Sequence, residues 1–89
     1  MATATLDEIQ LDGVAMSIAR AVRLANETAQ THGTRPLDSL ITISEETTSD
    51  GRQWRIHYGA RDFVNHRGGD LIVFIDEHGD AVQSVLRGQ

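Results

Sequence analysis

Four histidines, His32, His57, His66 and His78, and the run Asp76-Glu77-His78-Gly79-Asp80 are the residues of this chain best suited to hold a cation. A metal centre needs donors that converge, which one element supplies through pairs such as His-x-His or His-x-x-x-His. No such pair occurs, and the four histidines fall on a helix end, a strand, a loop and a turn. His66, in the longest connection, is the one to inspect first. The acidic run lacks the alternating oxygen donors and closing glutamate of a calcium-binding loop. It reads instead as a hairpin turn in which Gly79 takes a positive φ. Acid–base chemistry would fall to Asp62 and Asp76, on fold analogy alone: helix-plus-curved-sheet cones include isomerases with a buried aspartate base. A short chain with one helix closes such a cone poorly, so its pocket would be shallow. No serine sits in a nucleophile elbow, and Gly68-Gly69 precedes a strand rather than opening a helix around a phosphate. The expectation is a protein with no catalytic, cofactor or metal site.

The elements that position these residues are legible from periodicity. Leu11, Val14, Ala15, Ile18, Ala21, Val22, Ala25 and Ala29 recur at spacings of three and four, the stripe of a helix packed on a core. Arg20, Arg23, Asn26, Glu27 and Gln30 fall mostly on its other side. Thr5-x-x-Glu8 fits a capping box and Asp12 fits a later N-cap, so the helix has two candidate starts, with a break expected near Leu11 to Gly13. Its end is set by His32-Gly33 and closed off by Pro36. Small alanines let the helix lie close, and Leu11, Ile18 and Val22 should fill the gaps between strand residues.

After Pro36 the period becomes two. Leu40 to Glu45 places Ile41 and Ile43 on one face, and a turn ending in Asp50-Gly51 leads into Gln53 to Tyr58, with Trp54, Ile56 and Tyr58 together. Gly59 to Asp70 reads as a long loop around Phe63 and Val64. Leu71 to Ile75 is apolar throughout, as a strand covered on both faces would be. Ala81 to Leu86 returns with Val82 and Leu86 on one face. The predicted fold is α+β: one long N-terminal helix on a four-stranded antiparallel sheet, in the order α-β-β-β-β. Residues 1–12 form an N-terminal segment, and residues 13–89 a single domain.

The bulk properties narrow the function classes. The chain has 89 residues and no cysteine, which excludes a disulfide framework and a thiolate site. Its net charge is −5 and all eight basic residues are arginine, so the basic stripe of a non-specific nucleic-acid binder is missing. An acidic balance suits docking on a basic partner. The apolar run Leu71 to Ile75 is too short to span a membrane, and Met1 to Thr5 has neither a basic nor an apolar leader segment. A cytoplasmic location is the expectation.

The last third carries a resemblance. Trp54-Arg55-Ile56, a loop ending in Gly68-Gly69, a hydrophobic strand running into Ile75-Asp76-Glu77-His78-Gly79, and a last strand closing on Gly88-Gln89 resemble the small NTF2-fold (cystatin-like) immunity proteins. The resemblance spans residues 13–89, with the alanine-rich helix preceding the sheet as in that family. It implies an inhibitor that binds a cognate toxin and blocks it. No binding residues carry over, because family interfaces differ between toxins. Exposed acidic and aromatic positions near the loop and the hairpin turns are the expected partner-binding residues: Glu45, Glu46, Asp50, Asp62, Phe63, His66, Asp70, Glu77 and Asp80. Carboxylates steer a basic partner and a central aromatic anchors it. The sheet face away from the helix is a second expected contact, to that partner or to a second copy. A small isomerase-type enzyme or ligand-binding domain, and a phage-encoded or regulatory inhibitor that mimics nucleic acid, are the alternatives.

Overall fold

Both candidate helix starts are used. Thr5 Oγ1 accepts from the Glu8 amide and Glu8 Oε2 accepts from the Thr5 amide, each at 3.2 Å, and this capping box opens helix α1, Leu6–Leu11. Asp12 then ends α1 by donating its backbone N–H to Ile9 O. It also starts α2, Gly13–Thr31, by accepting from the Ala15 amide at 2.8 Å. An extended Asp12 before a glycine at the first helical position explains why one long helix becomes two. Gly33, at φ 82°, turns the chain out of α2.

The computed structural model describes residues 5–60 and 70–88. A single 3-10 turn, Pro36–Asp38, leads from α2 into strands β1 (Ser39–Thr48), β2 (Gly51–Ala60), β3 (Leu71–Asp76) and β4 (Val82–Arg87). These form a four-stranded antiparallel meander in the order β1-β2-β3-β4. The fold is α+β, with α2 lying over β2 and β3. The core is the contact between the two: Ala21, Ala25 and Ala29 from the helix against Trp54, Ile56, Tyr58, Leu71, Val73 and Ile75 from the sheet. Methyl side chains at every fourth residue let the helix backbone sit close on the strands, so the larger sheet residues fill the space.

Two polar groups enter this core with partners. Trp54 Nε1 donates to Glu77 O at 3.0 Å, and Tyr58 Oη donates to Asn26 Oδ1 at 2.6 Å. Burial pushes the Tyr58 phenol up to about 12. The middle and the C-terminal end of α2 are tied to the β3–β4 hairpin, by Arg20 Nε donating to His78 O and by the Arg87 guanidinium donating to His32 O.

Five readings of the sequence need correction. Leu11 is 87% exposed and fills no gap in the core, because the break at Asp12 puts it on α1. Asn26 faces the sheet as the partner of Tyr58. The β3 strand is not buried on both faces: Leu71, Val73 and Ile75 are buried, whereas Ile72 and Phe74 are only half-buried. Val82 and Leu86 do not share a face, since the β4 register skips Gln83 and sets Val82 beside Ile75 but Leu86 beside Ile72. Much of the connection read as Gly59 to Asp70, including Val64 and Gly68-Gly69, lies outside the described residues, and Gly59 and Ala60 belong to β2.

Candidate interaction surface

Alternation along the strands decides which side chains meet α2 and which meet solvent. On the face away from α2 the register aligns Thr42, His57, Ile72 and Leu86 across the four strands, and beside them Ser44, Arg55, Phe74 and Ser84. Leu40 lies on the same face, next in line on β1. No helix packs over this face among the described residues: Leu40 is 51% and Leu86 54% exposed, and Ile72 and Phe74 are half-buried. The result is an apolar cluster of Ile72, Phe74 and Leu86 on β3 and β4, with Leu40 across β2 on β1 and Arg55 in register beside Phe74.

Polar groups frame the patch at both ends. At the end where β3 begins, His57 Nε2 lies 3.0 Å from Asp70 Oδ2, where the carboxylate accepts from the ring. Asp70 O also accepts from the Gly88 amide at 2.7 Å, fastening the end of β4. At the opposite end Glu46, Gln53 and Asp76 align across the strands, and Gln53 Nε2 donates to Glu46 Oε1 at 3.1 Å. Asp76 organises the hairpin that follows. Its Oδ1 accepts from the amides of Asp80 at 2.6 Å and Ala81 at 2.7 Å, and its Oδ2 from the His78 amide at 3.3 Å. Burial acts to raise the Asp76 pKa, but these three amides, with the charge of His78, outweigh it and hold the carboxyl below its ordinary range.

The expected partner-binding residues divide into three groups. Glu45, Glu46, Asp50, Glu77 and Asp80 come from two hairpins far apart in sequence, and the meander sets both hairpins at one end of the sheet. Within that end Glu45 pairs with Arg52 at 3.8 Å. Asp70 stands at the other end, engaged with His57. Asp62, Phe63 and His66 lie outside the described residues. The apolar members Leu40, Ile72, Phe74 and Leu86, and Arg55 among them, are absent from the sequence-derived set. The signal for them was present: a strand apolar on both faces, and one helix to cover only one of them.

The remaining chemistry-bearing groups stay apart. His32 caps α2 through Nδ1 and Thr28 O at 2.9 Å, and His78 lies 3.7 Å from Glu77 in the turn. Among the described residues no group of three or more His, Asp or Glu side chains converges as metal ligands would, and no helix is long and apolar enough to cross a membrane. A shallow recess of about 160 Å³ lies between α2 and the β3–β4 turn, lined by Arg20, Arg23, Leu24, Glu27, Gly79 and Asp80. Its floor is Gly79, where a Cβ would stand 2.7 Å from Arg20 Cβ and 2.8 Å from Ala21 N, so the recess exists because helix and turn touch there. No protein-family model, curated protein or solved structure matches this chain.

Proposed function

We propose that this protein is a non-catalytic binding module whose open sheet face docks a protein partner, and that the partner is a basic toxin which it neutralises. The open patch of Leu40, Ile72, Phe74 and Leu86 is the observation that carries the reading. Apolar surface of this kind costs free energy in water and is stabilised when a partner covers it. Phe74 has the size of an anchor, with Arg55 beside it as a donor for carbonyl or carboxylate groups. The surrounding carboxylates, Glu46 and Asp76 at one end and Asp70 at the other, favour a partner of positive charge, as does the net charge of −5. The resemblance to immunity proteins supplies the toxin class.

Co-expression with the product of the neighbouring gene, as the candidate toxin, combined with calorimetric titration of the two purified proteins, tests this. Wild-type protein is expected to restore growth and to bind. Phe74→Ala should weaken binding by roughly 30-fold, the size of an anchor's contribution. A wild-type protein that neither protects cells nor binds the toxin ends the proposal.

A further inference from the structure

The two outer strands of the sheet are built differently. The β4 strand has six residues, skips Gln83 in its register and ends with Arg87 held by His32 O. Short length and a bulge are common ways to blunt a sheet edge against pairing. The β1 strand has ten residues and pairs with β2 without a break in register. Its first half, Leu40-Ile41-Thr42-Ile43-Ser44, holds no charge, proline or glycine. Two large apolar side chains on it remain open, Leu40 on the uncovered face and Ile43, 40% exposed, on the helix face. We propose that β1 pairs antiparallel with β1 of a second copy of this chain, about a two-fold axis through Thr42, to form one continuous eight-stranded sheet.

The register follows from side-chain chemistry. A two-fold axis perpendicular to the sheet keeps each face on its own side, so residue pairs must share a face. With the axis at Thr42, Ile43 stands opposite Ile41 of the partner subunit, and Leu40 opposite the partner's Ser44. The row Val85, Val73, Ile56, Ile43 then runs on into the partner's Ile41, Tyr58 and Leu71 without a polar interruption. An axis at Ile43 would set Glu45 against the partner's Ile41, one at Glu45 would oppose like charges, and one at Ile41 would leave Ile43 facing serine. Both α2 helices lie on the same side of the joined sheet. The open face is not consumed, so the dimer and the docking of a partner are separable.

A chain without cysteine makes the test direct. Sedimentation over a dilution series should give a species of twice the 9.8 kDa monomer mass at high concentration. Thr42→Cys should form an interchain disulfide on mild oxidation, because directly opposed residues place their Cβ atoms about 5 Å apart. Ser44→Cys should not, since its two copies would stand roughly 13 Å apart along the strand. Ile43→Lys should be monomeric at all concentrations with an unchanged circular dichroism spectrum. A wild-type protein that stays monomeric overturns the proposal. So does a dimer in which Ser44→Cys cross-links as well as Thr42→Cys, or one that survives Ile43→Lys. Loss of the dimer with toxin binding retained would leave the proposed function standing, and the reverse outcome would leave the dimer standing.

Discussion

The two faces of the sheet are drawn from the same strands, yet they are finished differently. Toward α2, Trp54, Ile56, Tyr58, Leu71, Val73 and Ile75 are closed off by an alanine stripe, and each polar atom carried in with them has a named partner. Toward solvent, Leu40, Ile72, Phe74 and Leu86 meet no second layer among the described residues, although Ile72 and Phe74 alternate with core residues one position away. Burial on the first face supplies the stability of the domain. Incomplete burial on the second leaves apolar area whose transfer from water is still available to a partner. A residue's contribution to folding or to binding is therefore set by strand parity more than by its type.

Substitutions should separate the two faces. The largest effect is expected from Trp54→Ala, which removes a ring only 7% exposed and its hydrogen bond to the β3–β4 turn. It should cost about 3–5 kcal/mol, a large part of the stability of so small a domain. Chemical denaturation reads it, and a near-wild-type midpoint would refute the burial of that ring. Next comes Gly79→Ala. The φ of 78° and the 2.7 Å approach to Arg20 Cβ both oppose a side chain, and the conformational part alone costs about 1–3 kcal/mol. Amide exchange should show the loss concentrated where the β3–β4 turn meets α2 around Ser17 to Ala21.

A smaller effect should come from Asp76, and its pH dependence has a definite sign. The native pKa is depressed, so the carboxylate contributes stability that is fully present above its unfolded value near about 3.9 and is lost as pH falls through the lower native value. Paired melts of wild type and Asp76→Asn should differ at neutral pH and converge in strong acid. A gap that widens in acid would contradict the assignment. Phe74→Ala should destabilise less than Trp54→Ala, because that ring is only partly buried and no second layer covers it among the described residues, while binding suffers. Equal destabilisation by Phe74→Ala and Trp54→Ala would erase the distinction between the faces.

Much of this fold is local chemistry and could be read before any coordinates. The capping box of Thr5 and Glu8, the cap at Asp12, the exit at Gly33 and the positive φ of Gly79 each follow from a few neighbouring residues. Alternation in β2 likewise announced that Trp54, Ile56 and Tyr58 would face one way. The errors arose where a local pattern met a non-local constraint. Asn26 looked like a surface residue until the Tyr58 hydroxyl required an acceptor inside. Val82 and Leu86 alternated correctly as letters, but skipping Gln83 moved one of them across the sheet.

The candidate surface divides along the same line. By itself the sequence determined that Leu71 to Ile75 is apolar on both faces and that acidic residues cluster in its turns, since composition and period are properties of neighbouring positions. Only the tertiary structure decided that one helix covers β2 and β3 from a single side and that two distant hairpins share one end of the sheet. It also decided that Phe74 and Arg55 stand in register on the sheet face that α2 leaves uncovered. Those are consequences of strand order and helix placement, and the free energy that selects them comes from contacts between residues far apart in the chain.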